Sequence, residues 1–155
     1  MNLIFRMLWV IIRSFFMKRL DKGSYTSSLS LHVLPNDIDI NFHMNNGRYL
    51  TICDLNRVDV FARSGLLKAM FRRSWIPVIA EHTMTYKKPL NIFQRYEVKL
   101  EVLRWDEKYF YMTHTFIHGS RVVAEGTSKG CVYERGVGVV SPDRAFAAVE
   151  QDRSK

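Results

Sequence analysis

The chain has 155 residues, of which 47% are hydrophobic and 13% aromatic, a composition typical of one folded domain and not of a disordered segment. Its two cysteines, Cys53 and Cys131, show none of the spacings of a disulfide framework or a zinc site, so we expect a reduced, cytoplasmic setting. The net charge is +8, and residues 1–23 carry half of it, with five basic residues and one acidic residue. The rest is a mixed surface, which argues against a nucleic-acid-binding protein.

The first 20 residues, MNLIFRMLWVIIRSFFMKRL, predict an amphipathic helix. Arg6 and Arg13 share one face of it, and two arginines would be costly in the middle of a bilayer. We therefore expect residues 1–20 to lie at the inner face of a membrane, with the arginines reaching the headgroups and Trp9 near them. The alternatives are a helix packed on the protein itself and an uncleaved span. The predicted boundary separates this segment, 1–23, from the domain at 24–155.

Residues 35–46, PNDIDINFHMNN, concentrate two carboxylates, one imidazole and several carboxamides directly before a predicted helix. Asn45 or Asn46 is a good N-cap for this helix, which we expect to run to Ser64 and to end at Gly65. A helix start offers unpaired N–H groups and a partial positive charge. A carboxylate beside these donors is the combination that hydrolysis of an activated acyl group requires.

Alternating hydrophobic and polar residues elsewhere predict a mostly antiparallel β structure. Pro77 places the second strand at a sheet edge, and Gly126 and Gly130 indicate a bend or a close approach to the backbone of the last strand. His82, His114 and His118 are expected to be scattered, without forming a metal site. The predicted strands are 29–34, 75–86, 96–102, 109–117 and 121–133, and a short final helix follows at 142–150.

The run DIDINFHMNNGRY, followed by Asp54, Arg57 and TYKKPL, resembles the 4-hydroxybenzoyl-CoA thioesterase-like branch of the hotdog-fold acyl-CoA thioesterases. Members of that branch carry a D-x-D-x-x-G-H-[VM]-N-N-x-x-Y pattern. The resemblance implies an α+β fold, a single hotdog domain in which a curled antiparallel sheet wraps around one central helix, here with an added N-terminal amphipathic helix. It also implies a homodimer or homotetramer that needs no cofactor and no metal. The family's glycine before the histidine is Phe42 here, a residue that disfavours positive φ.

By this resemblance the chain is an acyl-CoA thioesterase, and Asp39 is its catalytic carboxylate, acting as general base or as nucleophile. The substrate would be an acyl thioester of CoA or of acyl carrier protein. The other implied roles are support of the oxyanion and of the loop by His43, Asn45 and Asn46, and substrate contacts by Phe42, Tyr49, Lys87 and Lys88, with Arg104 as a further phosphate contact.

Several alternatives remain at this stage. Asp37 is expected to accept hydrogen bonds within the loop. Asp54 is expected to form a structural ion pair with Arg57, one turn away on the helix, and the alternative is that Asp54 acts as the base instead of Asp39. Asp39 and His43 together would also suit a hotdog enoyl-CoA hydratase. Phe42 and the N-terminal segment would suit a membrane-associated protein that binds acyl thioesters with little turnover.

Overall fold

The computed structural model describes residues 2–21 and 23–154 of the chain. Within these ranges no helix has both the length and the hydropathy needed to cross a membrane. The elements in chain order are α1 (Asn2–Phe16), β1 (Thr26–His32), a 3₁₀ turn (Pro35–Asp37), α2 (Asn46–Ser64), α3 (Leu66–Arg73), β2 (Trp75–Tyr86), β3 (Arg95–Trp105), β4 (Phe110–His118), β5 (Arg121–Glu134), β6 (Gly138–Val140) and α4 (Pro142–Arg153).

Five of the strands form one antiparallel sheet in the order β1-β3-β4-β5-β2, and β6 pairs with β5. The consecutive strands β3, β4 and β5 form the predicted meander. The strand with Pro77, β2, lies at the open edge, as the proline predicts. The predicted hotdog architecture, a curled sheet around one central helix, is confirmed, with α1 as the added N-terminal helix.

The central helix α2 begins and ends where the sequence predicts. The side chain of Asn45 accepts a hydrogen bond from the Gly47 N–H at 2.8 Å, and Gly65 ends the helix in the left-handed region with φ of +89°. Residues on most sides of the helix are buried, including Ile52 and Leu55, which are fully buried. The sheet and α1 cover these sides, which explains why the helix lacks a single apolar stripe.

Helix α1 packs on the domain through its arginine face. Val10 is fully buried, Arg6 forms an ion pair with Asp37, and Arg13 lies 3.4 Å from Asp59. The prediction that these arginines reach toward lipid headgroups is therefore wrong, because buried carboxylates of the domain bind them. The apolar face points outward instead. Its exposed side chains are Ile4, Phe5, Leu8, Trp9, Ile12, Phe15 and Phe16.

Gly126 on β5 marks a close approach of two strands, as its position in the sequence indicates. A Cβ atom at this residue would lie 2.1 Å from the carbonyl oxygen of Thr83 and 3.1 Å from the Cα of Met84, both on β2. No side chain fits there without separating β5 from β2, so the glycine holds the edge strand close to the sheet.

Candidate active site

An open cleft of about 250 Å³ lies at the start of α2. The loop before the helix contributes Asp39 and His43 to its wall, and the helix contributes Asn46 and Tyr49. The end of β2 and the residues after it contribute Tyr86 and Lys88. Five of the residues predicted to act in catalysis or in substrate binding therefore face one cleft: Asp39, His43, Asn46, Tyr49 and Lys88.

The first half of the loop is anchored by Asp37, which is 1% exposed. Its carboxylate forms an ion pair with Arg6 at 2.7 Å, lies 3.6 Å from Arg48, and accepts a hydrogen bond from the Leu34 N–H at 2.9 Å. Its carbonyl oxygen accepts a hydrogen bond from the N–H of Asn45, the N-cap of α2. As predicted, Asp37 is an acceptor within the loop, and it also joins α1 to the start of α2.

The second half of the loop carries Asp39, a half-buried residue that lines the cleft. The N–H of Asn41 donates to Asp39 Oδ1 at 2.8 Å, and the Asp39 N–H donates to the carbonyl of His43 at 2.9 Å. Between them Phe42 adopts φ of +62° and exposes 80% of its surface. The loop thus takes the left-handed conformation at the position of the family's glycine, although a phenylalanine stands there.

At the helix start, Asn45 binds two of the first N–H groups. Its side chain accepts from Gly47, and its carbonyl oxygen accepts from Arg48 at 2.8 Å. The Asn46 N–H is the first-turn amide that Asn45 does not bind, and Asn46 lines the cleft. The phenol of Tyr86 donates to the Asn46 carbonyl at 2.9 Å and fixes this residue from the side of β2. Sequence reasoning gave Tyr86 no role, although it lies in the TYKKPL segment.

The other predicted substrate contacts are distributed differently. Tyr49 is 2% exposed, packs edge-to-face on Tyr86 at 5.1 Å, and has a pKa that burial raises to about 12. Lys87 forms an ion pair with Glu125 at 2.7 Å, whereas Lys88 lines the cleft. The guanidinium of Arg104 lies 3.7 Å from the centre of the Tyr111 ring. Of the three cationic side chains predicted to contact the substrate, Lys88 lines the cleft.

A second polar group lies under the middle of α2. Cys53 Sγ and one ring nitrogen each of His82 and His114 lie within 4.8 Å of one another. The prediction that the histidines are scattered is therefore wrong for His82 and His114, because β2 and β4 bring them to the same face of the helix. Arg57 lies between them, with its Nη2 atom 3.4 Å from His82 Nδ1 and 3.3 Å from His114 Nε2.

The ionisation of this group is set by its burial. Burial, together with the Arg57 charge and His82, lowers the pKa of His114 to about 3, and the first two of these causes also lower the pKa of His82. Burial raises the pKa of the Cys53 thiol to about 12, which is the state of a packed, unreactive thiol. Arg57 also forms the predicted ion pair with Asp54.

A family model described as "Thioesterase-like superfamily" matches residues 33–148, about three quarters of the chain. The chain belongs to the thioesterase-like superfamily. The match spans the loop, α2 and the sheet, which are the parts that build the cleft. It confirms the family that the D-x-D-x-x-x-H-x-N-N motif predicts.

Curated relatives agree with this assignment. The chain is 41% identical to Protein THEM6 of Xenopus laevis over 85 residues, covering 55% of the chain and 41% of the relative. It is 32% identical to Protein THEM6 of Danio rerio over 115 residues, covering 74% and 57%. A probable thioesterase of Saccharomyces cerevisiae is 29% identical over 105 residues, covering 64% and 45%. The chain thus spans about half the length of these relatives.

Solved structures show the same fold at low sequence identity. The YbaW probable thioesterase of Escherichia coli superposes with a TM-score of 0.71 at 15% identity, covering 83% of the chain and 98% of that structure. A gentisyl-coenzyme A thioesterase superposes with a TM-score of 0.71 at 19% identity, covering 78% and 99%. These similarities establish the hotdog fold and leave the reaction to be argued from the site.

Proposed function

We propose that the protein hydrolyses an acyl thioester of CoA or of acyl carrier protein, with Asp39 as the catalytic carboxylate. One observation carries the proposal: Asp39 and the first turn of α2 face the same cleft in a chain of the thioesterase-like superfamily. The thioester carbonyl oxygen would accept from the Asn46 N–H, where the helix dipole favours the negative charge of the tetrahedral intermediate. Asp39 would then act on the carbonyl carbon.

Asp39 has two routes to the product. As a nucleophile it forms a mixed anhydride and releases the thiolate, and water then opens the anhydride. As a general base it removes a proton from water, which attacks the carbonyl directly. In single turnover in oxygen-18 water, an anhydride that water opens at the Asp39 carbonyl leaves label in the Asp39 carboxylate, whereas the general-base route places label in the free acid alone. Label in Asp39 therefore identifies the nucleophilic route.

The role of Asp39 is tested with Asp39→Asn across short, long and aromatic acyl-CoAs. We expect kcat/KM to fall by about 100-fold or more, the usual loss when a positioned acid–base group is removed. Asp143→Asn is the matched control, because Asp143 is an exposed acid in the first turn of α4. Wild-type turnover by Asp39→Asn would contradict the assignment. Tight binding without product release in the wild-type protein would favour the non-hydrolytic binder.

We further propose that α1 binds the surface of a membrane through its outward apolar face. The exposed fractions of Phe15 and Phe16 are 78% and 86%, and Lys18 and Arg19 follow directly. Apolar burial with attraction to anionic lipid is the usual basis of interfacial binding. The full chain should float with vesicles containing phosphatidylserine, and the double variant Phe15→Ser/Phe16→Ser should remain in the lower fraction. Equal flotation of both proteins would refute this face as the contact.

The proposed assembly is a homodimer, or a homotetramer built from dimers. Support comes from β2, an edge strand that exposes apolar side chains such as Ile76 and Val78, at 45% and 39%. Light scattering on the full chain in mild detergent should give at least twice the mass of one chain, and Val78→Lys should reduce it. A monomeric wild-type protein would contradict the proposal.

A further inference from the structure

Three buried N–H groups under the middle of α2 have no acceptor among the described residues. They are Arg57 Nε, His82 Nε2 and His114 Nδ1. Arg57 and His114 are 4% and 1% exposed, so their polar atoms are removed from bulk solvent. Native proteins pair nearly all such groups, because each unpaired one costs about 1–3 kcal/mol. Three of them in one place indicate a site that receives an acceptor.

The neighbours of the two rings fix which nitrogen carries the hydrogen. A guanidinium only donates, so His82 Nδ1 and His114 Nε2, the two atoms facing Arg57, act as acceptors. Ser128 Oγ lies 2.8 Å from the same His114 nitrogen. The hydrogens of the neutral rings therefore lie on His82 Nε2 and His114 Nδ1, which are the unpaired atoms.

This arrangement disfavours a metal ion, although Cys53, His82 and His114 could in principle provide three ligands. A metal bound to His82 Nε2 would move the ring hydrogen to Nδ1, where it would point at an Arg57 N–H. The positive charge of Arg57 would also lie next to two of the ligands. Unpaired N–H donors suit an oxygen acceptor and not a cation.

An acyl chain that left the cleft along α2 would run toward the donor group. Tyr49 and Tyr86 form the inner wall of the cleft, and Cys53 and Arg57 are the next residues on the same side of the helix. On β2, Tyr86 is followed on the same face by Met84 and then His82. At 1.5 Å per residue, Cys53 is about 10 Å beyond Asn46 along the helix axis. A medium-length acyl chain spans this distance.

We infer that Arg57, His82 and His114 form a binding site for an oxygen atom on the distal part of the acyl group, and that the preferred substrates are medium-chain acyl thioesters bearing a distal hydroxyl, carbonyl or carboxylate. This inference rests on the proposed hydrolase function, since it assigns the acyl group of the same site. A hydroxyl or carbonyl oxygen accepts from one or two of these N–H groups, and the two oxygens of a carboxylate can serve all three. The edge-to-face pair of Tyr49 and Tyr86 has to open for the chain to pass.

The experiment compares 8-hydroxyoctanoyl-CoA with octanoyl-CoA, which differ in one distal oxygen. We expect kcat/KM to be about tenfold higher for the hydroxylated substrate, the effect of one or two hydrogen bonds. In His114→Leu and in His82→Leu this ratio should fall to about one. His118→Gln is the matched control, because His118 binds the Arg95 carbonyl at the end of β4 and should keep the wild-type ratio. A wild-type ratio of one, or a ratio that survives both leucine variants, would overturn the inference.

A second measurement is independent of turnover and of the stability of the variants. Adding 1,8-octanediol to wild-type protein should shift the imidazole N–H resonances of His82 and His114 and leave those of His118 in place. If no CoA ester is hydrolysed while these resonances shift, the hydrolase proposal has failed and the donor site stands. If they do not move, the donor site is refuted. Stoichiometric Zn²⁺ binding that requires Cys53 would also refute it.

Discussion

Asp37 and Asp39 lie two residues apart in one loop and have opposite environments. Asp37 is 1% exposed and its carboxylate is bound by Arg6, by Arg48 and by the Leu34 N–H. Asp39 is half-buried beside an open cleft, and its carboxylate accepts one hydrogen bond from the loop, from Asn41. The comparison shows that the two acids of a D-x-D motif can have different roles. The first acid holds the loop, and the second is left open to the cleft.

The test with the largest expected effect replaces each of the two acids by its amide. Asp37→Asn leaves Arg6 buried against a neutral partner, so we expect the free energy of unfolding to fall by about 3–5 kcal/mol. Asp39→Asn should change it by less than about 0.5 kcal/mol, because Asn accepts the same hydrogen bond from Asn41. Urea unfolding monitored by circular dichroism measures both. Equal losses in the two variants would show that the acids do not differ in role.

The next test asks whether α1 is part of the anchor. Arg6→Met leaves the buried Asp37 carboxylate with Arg48 at 3.6 Å and should lower the free energy of unfolding by about 2 kcal/mol. Arg13→Met is the matched control on the same face of α1, because Asp59 keeps its bonds to Ser27 and Arg63. Its loss should stay below about 1 kcal/mol. Arg6→Met should also lower kcat, since Asp37 holds the N-cap of α2.

The sequence predicted the local parts of this arrangement. The cap at Asn45, the stop at Gly65 and the edge position of β2 each depend on one or two residues whose conformational preferences dominate locally. The meander follows from strands that alternate and are joined by tight turns. The loop motif placed Asp39 beside the helix start because both lie within ten residues of one another.

The parts that could not be predicted depend on long-range contacts. Arg6 meets Asp37 across 31 residues, and nothing in the pattern of α1 shows that its arginines face buried carboxylates instead of lipid. Cys53, His82 and His114 come from α2, β2 and β4, and they meet only when the sheet curls around the helix. The short strand β6, Gly138–Val140, has too few residues for alternation to be visible.

His114 gives a second comparison between buried and exposed ionisable groups. The folded protein holds the pKa of His114 at about 3, below the ordinary value of 6.5, because of burial, Arg57 and His82. The unfolded chain therefore binds more protons between pH 6.5 and 3, and stability falls as the pH falls through this window. The contribution of His114 to the free energy of unfolding should change by up to about 1.4 kcal/mol per pH unit. Urea unfolding at several pH values measures it.

The control for this pH dependence is His114→Gln, which removes the titrating ring. Its unfolding free energy should fall less steeply between pH 6.5 and 3, with the remaining slope due to other groups, including His82. A slope that is the same in the wild-type protein and in His114→Gln would show that His114 is already accessible to protons in the folded state.

The smallest expected effect concerns Phe42, which lies in the loop between Asp39 and His43. Phe42 has φ of +62°, which is unfavourable for a residue with a Cβ, and its side chain is 80% exposed. Phe42→Gly relieves this strain but adds freedom to the unfolded chain, so we expect a net gain in stability of up to about 1 kcal/mol. Thermal unfolding measures it.

Phe93 is the matched control for Phe42, with φ of +63° and 65% exposure. Phe93→Gly should give a similar gain in stability, because the backbone strain is the same. The two variants should differ in substrate binding, since Phe42 lies within the loop that carries Asp39 and Phe93 lies outside it. If Phe42 contacts the acyl chain, Phe42→Gly raises the KM for octanoyl-CoA severalfold, whereas Phe93→Gly leaves it unchanged. Equal KM values in both variants would show that Phe42 serves the loop as a backbone element alone.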